Sequence, residues 1–409
     1  MRFANYIYVG KNINNLGDHV QILTVDYLYR EMGISDDQVV YIDKDDLQSY
    51  DGEPVLMPVS MPLIEYNERG IAGMFSPQIT PVFFGLTMAK DELMPVEIDY
   101  LKTFEPIGCR DERTYITLTL AGINAYLGGC LTVALPKRKS TPKKQNKVFI
   151  IDPTAGVNRY IPQRIGADAV YDTHLFYSKL ENPKKQAEDR YRQYCDEAKL
   201  VITSLLHCSV PCMAMGIPVI LAKDVVSYRF AWLEALLKIY TPTEYKNIDW
   251  DPMPIEYEQY KNLVKSLFEK CMHRNDATAE ISKIHDFYMD RERKEYVVDA
   301  FVNIQKFIDE TWLDKNKEYK YAVWGLTQMA DMTVNYITKR YPNATLTHAY
   351  DLQTGLKFKR HLTVHPDDIE KHPDETVFVT TVSASNYAKQ FFKKINKPEH
   401  MYKTLDVII

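Results

Sequence analysis

Short motifs that mark several large enzyme classes are missing from this 409-residue sequence. It has no HExxH pair of metal ligands, no P-loop, no GxSxG turn that presents a nucleophile and no GxGxxG dinucleotide fingerprint. These motifs carry zinc proteolysis, nucleotide hydrolysis, serine hydrolysis and dinucleotide binding. The four corresponding enzyme classes are therefore disfavoured, and the sequence predicts no metal and no cofactor.

Cysteine and long apolar runs are also scarce. The six cysteines include no CxxC pair, and so few cysteines in a chain of this size argue against a disulfide framework. No run approaches the roughly 18 apolar residues of a membrane helix. The first residues, MRFANYIYVG, lack the long apolar core and small-residue cleavage site of a signal peptide. We expect a soluble protein of the reducing cytoplasm. A peripheral association with the inner face of the membrane is compatible with this expectation.

Positive charge is not in excess either. The chain has 50 Lys and Arg against 55 Asp and Glu, which gives a formal net charge of −5. A chain with this balance has no global field that attracts nucleic acid or anionic lipid. Nucleic acid is therefore not predicted as a partner, and any basic site must be local.

Strand-like apolar runs alternate with helical patterns from end to end, which indicates an α/β protein with parallel sheets. The strands predicted in the first two thirds are Tyr6–Val9, Val39–Ile42, Val55–Val59, Val82–Leu86, Leu131–Leu135, Lys147–Asp152, Leu200–Thr203 and Ile217–Ala222. The helices predicted there are Asp18–Met32, Asp111–Leu120, Pro183–Glu197 and Cys208–Met215. In the last ninety residues the predicted elements are strand Tyr319–Trp324, helix Met329–Arg340, strands Thr345–Ala349 and Val377–Val382, and a helix from about Asn386.

Two interruptions divide this pattern. Pro136–Asn146 holds five Lys or Arg, two Pro and no apolar side chain, which is typical of a solvated linker, with a basic grip on a phosphate as the alternative. Residues 257–315 are helical in pattern, highly charged and free of Pro and Gly. The predicted domains are a first lobe at 1–137, a basic linker at 138–146, a second lobe with this helical return at 147–317, and a small accessory domain at 318–409.

The first candidate segment follows the first predicted strand. Asn15 can cap a helix whose third residue is Asp18, and Gly17 lets the backbone bend closely. A strand, a tight turn and a helix N-terminus together form a surface that can face a ligand. A helix cap with no further role is the alternative.

Two arginines three residues apart, Arg110 and Arg113, flank the predicted start of a helix at Asp111. The dipole of a helix N-terminus favours anions, and guanidinium groups bind carboxylates and phosphates through paired hydrogen bonds. Arg110 can equally be held by Asp111 in a structural pair. The residues alone leave both interpretations open.

Ser204 and His207 follow the predicted strand Leu200–Thr203, and His174 lies near the end of another strand of the second lobe. Open parallel sheets place ligands beyond the carboxyl ends of their strands, where a histidine can hold a phosphate or move a proton. A buried histidine that bonds to the backbone is the alternative for His207.

Taken in order, these segments resemble polysaccharide pyruvyl transferases. NLGDHVQILTVDYL resembles the family's Asn-x-Gly-Asp helix. PIGCRDERTYITLTLAGINAYLGGCLTVAL resembles its Arg-Asp signature and the helix, turn and strand that follow. LVITSLLHCSVPCMAMGIPVIL resembles its Thr-Ser-Arg-Leu-His element. The similarity covers roughly residues 1 to 310 and implies two Rossmann-like lobes of the glycosyltransferase-B type, with the active site in the cleft.

The resemblance also implies an activity, the transfer of a pyruvyl unit from phosphoenolpyruvate to two sugar hydroxyls as a ketal in capsule or exopolysaccharide biosynthesis. The implied acceptor is a lipid-linked or nucleotide-linked saccharide. The residues that would hold the donor are Arg110, Arg113, His174, Ser204 and His207. Of these, Arg110 and His207 would act in catalysis, with His207 as the general acid. The residues on the acceptor side would be Asn15, Gly17 and Asp18.

The sequence departs from the family pattern at Leu205, which stands where Thr-Ser-Arg-Leu-His has arginine. Losing a bidentate anion clamp weakens donor binding unless another cation substitutes, and the candidates are Arg113, Arg159 and Arg229. Leu56–Pro62 also lacks the polar and aromatic character expected of an acceptor-facing loop. Two alternatives therefore stay open: a glycosyltransferase with a nucleotide-sugar donor, and a non-catalytic scaffold of a glycan-assembly complex.

The accessory domain, residues 318–409, lies outside the family core and has the pattern of a small Rossmann-like unit. Its Trp324–Gly325 turn and Asp351 are similar to parts of nucleotide-binding units, but one Gly stands where a dinucleotide fingerprint needs three. A structural appendage, or a domain that docks glycan-assembly proteins, is the favoured interpretation.

Overall fold

The computed structural model describes residues 2–8, 14–63, 70–88, 93–139, 144–224, 226, 228–289 and 295–405. The chain forms two compact units, Met1–Tyr288 and Met289–Ile409. Three parts of the sequence predictions lie outside the described residues: Val9 of the first strand, residues 140–143 of the basic linker and residues 290–294 of the helical return.

The first lobe of the first unit is built on a parallel sheet with the strand order β3-β1-β4-β6. Its strands are β1 (Arg2–Ile7), β2 (Asn14–Asn15), β3 (Val39–Asp43), β4 (Val55–Val59), β5 (Pro62–Leu63), β6 (Ile79–Phe83), β7 (Thr87–Met88), β8 (Ile107–Cys109) and β9 (Ala125–Leu127). Its helices are α1 (Leu16–Glu31), α2 (Pro95–Lys102) and α3 (Glu112–Leu120). All five residues of β4 are buried, as a central parallel strand requires.

The second lobe of this unit has a parallel sheet with the order β11-β10-β13-β14-β15. Its strands are β10 (Lys147–Ile151), β11 (Val170–Asp172), β12 (Leu175–Phe176), β13 (Ala198–Thr203), β14 (Val219–Ala222) and β15 (Ile239–Tyr240). Its helices are α4 (Ala155–Asn158), α5 (Gln163–Gly166), α6 (Pro183–Glu197) and α7 (Leu206–Ala214). The carboxyl end of β13 leads directly into α7, which positions Ser204 and His207.

Two further helices, α8 (Glu258–Met272) and α9 (Thr278–Met289), return to the first lobe. The ring centroid of Phe268 lies 5.0 Å from that of Phe84. The backbone N–H of Leu127 donates to Nδ1 of His285 at 3.2 Å. The two lobes are therefore joined by packing as well as by the chain between them.

The second unit is a smaller α/β domain with a parallel sheet of order β17-β16-β20-β21. Its strands are β16 (Lys320–Trp324), β17 (Thr345–Tyr350), β18 (Lys357–Phe358), β19 (His361–Leu362), β20 (Thr376–Val379) and β21 (Tyr402–Lys403). Its helices are α10 (Glu295–Thr311), α11 (Gln328–Arg340) and α12 (Val382–Lys394). Trp324 lies in its core and packs edge-on against Phe391 and Phe392.

The parallel α/β class predicted from the sequence is confirmed, but one predicted strand is wrong. Leu131–Leu135 was expected to be extended, whereas Leu131–Ala134 forms a 3-10 helix. All four residues are buried, because this turn packs against α1, α7 and α8. A short, continuous apolar run fits a buried helical turn as well as it fits a buried strand.

In the part of the chain that the structure describes, no helix combines the length and the apolar character needed to cross a bilayer.

Candidate active site

The two lobes of the first unit meet at the N-terminus of α1. Strand β2 pairs antiparallel with β12 of the second lobe. The backbone N–H of Leu16 donates to the carbonyl oxygen of His174 at 2.9 Å. The side chain of Asn14 donates to the carbonyl oxygen of Ser178, also at 2.9 Å. The first turn of α1 therefore lies at the boundary between the lobes.

Gly17 allows the two lobes to approach each other closely at this boundary. The predicted helix cap is confirmed, because the side chain of Asn15 accepts a hydrogen bond from the Gly17 N–H at 2.9 Å. A Cβ atom at position 17 would lie 2.6 Å from Cβ of His207, closer than two carbon atoms can approach. Glycine thus brings the start of α1 against the start of α7, since it has no side chain to separate them.

Arg110 follows β8 and its side chain is fully buried. Nη2 donates to Oε1 of Gln21 at 2.8 Å and also to the carbonyl oxygen of Ser60. Nε and Nη1 have no protein partner among the described residues. Buried guanidinium N–H groups without acceptors are costly, so this arrangement is suited to an anion.

Two further buried hydroxyl groups near Arg110 also lack a protein partner in the described part of the chain. They belong to Tyr6 on β1 and to Ser60 directly after β4. Burial raises the pKa of the Tyr6 phenol above its usual value, and the nearby positive charge of Arg110 opposes this shift. Gly85 lies between the groups, since a Cβ there would be 3.3 Å from Ser60 Oγ and 3.8 Å from Arg110 Nε. These donors lie at or beyond the carboxyl ends of strands, where open parallel sheets bind ligands.

Asp111 has a separate, structural role. Its carboxylate caps α3 and accepts hydrogen bonds from the N–H of Thr114 at 2.9 Å and from the Thr114 hydroxyl at 3.1 Å. Burial raises the pKa of this carboxyl group, although the hydrogen bonds and the charge of Arg110 oppose the shift. In the described structure no ion pair joins Asp111 to Arg110, so the alternative of a structural Arg110–Asp111 pair is not what forms.

His207 lies in the first turn of α7 and is buried. Burial lowers the pKa of its imidazole well below 6.5, and the positive charges of Arg110 and Arg229 lower it further. Nε2 lies 3.8 Å from Sγ of Cys130. The imidazole is therefore neutral near pH 7 while no anion is bound.

Asp18, in the first turn of α1, is affected by the same cations. Burial raises the pKa of its carboxyl group, and the charges of Lys44, Arg229 and Arg110 act in the opposite direction. The charges of Arg110 and Arg229 thus act on both Asp18 and His207, and we call these four residues the junction cluster. The cluster draws on both lobes.

Asp152 positions the residues at the second-lobe edge of this site. It directly follows β10 and has a left-handed backbone conformation, with φ of 43°. Its carbonyl oxygen accepts a hydrogen bond from the Ser204 hydroxyl at 2.6 Å, and its carboxylate accepts from the backbone N–H of His174 at 2.9 Å. The Ser204 proton is therefore already engaged, and the oxygen of this hydroxyl remains able to accept.

Lys223 is a cation of this edge that the sequence analysis did not select. It directly follows β14, and its ammonium group donates to the carbonyl oxygen of Ser204 at 3.0 Å. Burial lowers the pKa of Lys223, and the charge of Arg229 adds to this effect. The sequence could have indicated Lys223 as a site residue, because it directly follows the predicted strand Ile217–Ala222, the next strand after Leu200–Thr203.

Leu205 occupies the N-cap position of α7. Of the three predicted substitutes for the missing arginine, Arg229 influences the charge of both Asp18 and His207. Arg159 instead acts on Asp224, whose pKa is lowered mainly by a hydrogen bond from Tyr245. Arg113 lies partly exposed in the first turn of α3.

His174 is placed differently from the other predicted donor ligands. Its side chain is fully buried, and Nε2 lies 2.9 Å from the Tyr194 hydroxyl. Burial, together with the charge of Arg190, lowers the pKa of this imidazole to about 3. The residue ties the two lobes together through its carbonyl oxygen, and its neutral ring is part of the packing behind the junction cluster.

A cavity of about 1190 Å³ opens beside α1 between the lobes. Tyr8 and His19 line it from the first lobe, and residues 179–185 line it from the second. Burial raises the pKa of Tyr8, and the neighbouring Tyr6 and Asp18 add to the effect. This cavity-lining residue is therefore also close to Asp18 of the junction cluster. A space of this size can hold a sugar unit.

The stretch Leu56–Pro62 is mostly a buried strand and not a surface loop. Residues 56–59 belong to β4 and are buried. Ser60 follows at the carboxyl end and accepts a hydrogen bond from Arg110 through its carbonyl oxygen. Its apolar character, unexpected for an acceptor-facing loop, is therefore explained by its position in the core.

The fold and the site define a two-lobed α/β protein with a cationic junction at the carboxyl ends of its strands. The chain belongs to the polysaccharide pyruvyl transferase family, whose family model matches residues 15–222. This range contains the first turn of α1, Arg110, Ser204 and His207.

Two further comparisons add little to this assignment. No curated protein matches the chain. Among solved structures, a functionally uncharacterized protein from Klebsiella pneumoniae subsp. pneumoniae NTUH-K2044 is similar at 13% sequence identity. The similarity covers 55% of this chain and 84% of that chain, with a TM-score of 0.30.

Proposed function

We propose that this protein transfers a pyruvyl unit from phosphoenolpyruvate to two hydroxyl groups of a saccharide, as a ketal, in the assembly of a capsule or exopolysaccharide. The observation that carries the proposal is the buried guanidinium of Arg110, whose Nε and Nη1 have no protein partner among the described residues. A buried cation with open donors is stabilised when an anion completes its hydrogen bonds. Phosphoenolpyruvate supplies both a phosphate and a carboxylate.

Positive charge for this donor comes from both lobes. Arg110 belongs to the first lobe, and Arg229 and Lys223 belong to the second. Lys223 donates to the carbonyl oxygen of Ser204, the residue before Leu205, so its ammonium group lies close to the position where the family has arginine. Lys223 and Arg229 together would replace that arginine, as point charge and guanidinium respectively.

His207 would deliver the proton that the donor's methylene carbon needs. Its imidazole is neutral in the free protein because burial and the charges of Arg110 and Arg229 disfavour the charged form. A bound donor with several negative charges cancels part of that field and raises the pKa of His207. Donor binding would therefore create the imidazolium that acts as general acid.

The proton of His207 goes to the methylene carbon of phosphoenolpyruvate, which leaves an oxocarbenium-like centre at the neighbouring carbon. One sugar hydroxyl adds there, the carbon–oxygen bond to phosphate breaks, and the second hydroxyl completes the ketal. Two hydroxyl protons are released, of which one restores His207 and the other leaves with inorganic phosphate.

Asp18 would serve the acceptor side, with Asn15 and Gly17 shaping the turn around it. Burial raises the pKa of the Asp18 carboxyl group, which makes its carboxylate a stronger base toward a sugar hydroxyl. The cavity between Tyr8 and residues 179–185 would hold the saccharide. The proposed acceptor is lipid-linked or nucleotide-linked, and the proposed setting is the cytoplasm, at the inner face of the membrane when the acceptor carries a lipid. Residues 318–409 would dock partner proteins of glycan assembly.

The first experiment measures chemistry. Purified protein is incubated with phosphoenolpyruvate and a panel of saccharides that have neighbouring free hydroxyls, and inorganic phosphate and the ketal product are quantified. His207→Gln keeps a side chain of similar size but carries no transferable proton. We expect this variant to lower kcat by about 10²- to 10⁴-fold, while His273→Gln, at an exposed histidine of the same unit, leaves it unchanged.

Two outcomes would count against the proposal. One is full activity in His207→Gln, which would show that His207 is not the general acid. The other is stabilisation of the protein by nucleoside diphosphates and not by phosphoenolpyruvate, which would favour a nucleotide-sugar donor in the same junction.

A further inference from the structure

The second unit contains a cluster of two imidazoles and a carboxylate, formed by His348, His372 and Glu375. One potential ligand atom of each residue lies within 4.8 Å of the other two. His348 lies on β17, His372 ends the 3-10 helix Pro366–Lys371, and Glu375 directly precedes β20. The cluster lies outside residues 15–222, which the family model covers.

The sheet itself brings His348 and Glu375 together. His348 lies opposite Ala322 of β16, and Ala322 lies opposite Val377 of β20. Paired residues share a face of the sheet, and Glu375 shares the face of Val377 because it stands two positions earlier in an extended chain. Ala322 has the smallest side chain that could separate them. Nδ1 of His348 consequently lies 2.5 Å from Oε1 of Glu375.

The carboxylate of Glu375 is buried and held in position. Its side chain is 3% exposed. Oε2 accepts a hydrogen bond from the Tyr350 hydroxyl at 3.0 Å, and Oε1 is the atom that faces the imidazole of His348. The ring centroids of His348 and His372 lie 4.1 Å apart. A ligand that is oriented by an outer hydrogen bond in this way is typical of metal sites.

We propose that His348, His372 and Glu375 bind a divalent first-row transition ion, with zinc as the preferred metal. Imidazole nitrogen and carboxylate oxygen are ligands that suit this ion, and two histidines with one glutamate leave a fourth position for water or another ligand. The ion takes the place of the proton between His348 Nδ1 and Glu375 Oε1. Small rotations of the side chains bring the three atoms to the usual metal distances of about 2.0–2.2 Å.

Metal binding to the full-length protein tests the proposal directly. The protein is treated with a chelator, exchanged into metal-free buffer and titrated with Zn²⁺ by calorimetry, and then with Co²⁺ under an absorption spectrometer. We expect one ion per chain and a Co²⁺ spectrum of nitrogen and oxygen ligands. Strong sulfur-to-metal bands would instead assign the ion to cysteines and overturn the proposal.

Variants separate a metal site from a hydrogen-bond network. His348→Gln can still donate to Glu375 but is a poor metal ligand, so we expect an unchanged melting temperature without metal and affinity for Zn²⁺ lowered by at least about 100-fold. Tyr350→Phe, which removes only the positioning hydrogen bond, should weaken binding by about 10- to 100-fold.

His400→Gln, at an exposed histidine of the same unit, is the matched control and should bind as the wild type does. Wild-type affinity in both His348→Gln and His372→Gln, or no saturable binding by the wild type, would show that the three residues form a hydrogen-bond network only.

Discussion

At the scale of single residues, the behaviour of the junction depends on Arg110. Its guanidinium is fully buried, yet it is held by a glutamine side chain and a backbone carbonyl and not by a carboxylate. Its charge is therefore not neutralised by a direct ion pair, and it acts on neighbouring groups, among them His207 and Asp18. In the proposed mechanism, this one residue would both attract the anionic donor and keep the imidazole neutral until the donor binds.

Replacing Arg110 should change the protonation of His207. Burial is the main cause of the low pKa of His207, and the charge of Arg110 is the next. In Arg110→Gln that charge is gone, so we expect the pKa of His207 to rise. NMR of labelled imidazole nitrogens at mildly acidic pH would show a larger charged fraction of His207 in the variant.

The matched control is Arg164→Gln, at an exposed arginine of the second lobe, which should leave the His207 signals as they are in the wild type. A pKa of His207 that stays the same or falls in Arg110→Gln would contradict the electrostatic coupling.

The sequence alone points to some residues of the candidate site and gives no signal for the others. Asn15, Gly17, Asp18, Arg110, Ser204 and His207 stand in motifs whose residue types and order indicate a ligand site. Tyr6, Ser60 and Lys223 stand in no motif, and they enter the site only because three separate strands end near one another. That convergence is a property of the folded sheets, which a local pattern does not contain.

At the scale of elements, α1 is the joint between the lobes. Its first turn bonds to the backbone of His174, and farther along the helix Asp26 pairs with Lys184 of α6 at 2.6 Å. The elements themselves were largely predictable, because alternating apolar runs and helical periodicity are local; α6 has the predicted bounds, Pro183–Glu197. The strand predicted at Leu131–Leu135 was wrong because the local pattern does not decide the conformation there. Packing against three helices selects the 3-10 turn Leu131–Ala134.

The joint should weaken in acid because of His174. The pKa of its imidazole is about 3 in the folded protein against 6.5 ordinarily, mainly because of burial. Between these values the unfolded chain binds more protons than the folded chain, so stability falls as the pH drops below 6.5. From pH 6.5 to 4.5 this one residue should cost about 2 kcal/mol of the free energy of unfolding.

Urea unfolding at several pH values checks this sign and size. His174→Gln cannot take up the proton, so its stability should fall by about 2 kcal/mol less than that of the wild type over the same interval. His273→Gln, at an exposed residue, should follow the wild type. A His174→Gln variant with the full acid dependence would show that His174 is not the group that titrates.

At the scale of the whole molecule, the family match and the two compact units divide the chain in different ways. The family model covers residues 15–222, which contain the main site segments of both lobes. The second unit, Met289–Ile409, lies outside that range and carries the proposed metal cluster. The proposed transferase and the proposed metal site are therefore independent, and each can fail without the other.

The measurement that tests the central claim most directly is the binding of phosphoenolpyruvate to the full-length protein without acceptor. Titration calorimetry compares the wild type with Arg110→Ala, with Arg110→Lys, which keeps the charge but not the paired donors, and with the surface control Arg164→Ala. Two lost charge-assisted hydrogen bonds correspond to about 3 kcal/mol, so Arg110→Ala should bind at least about 100-fold more weakly, with Arg110→Lys in between. Equal affinity in the wild type and Arg110→Ala would contradict an anion site at Arg110.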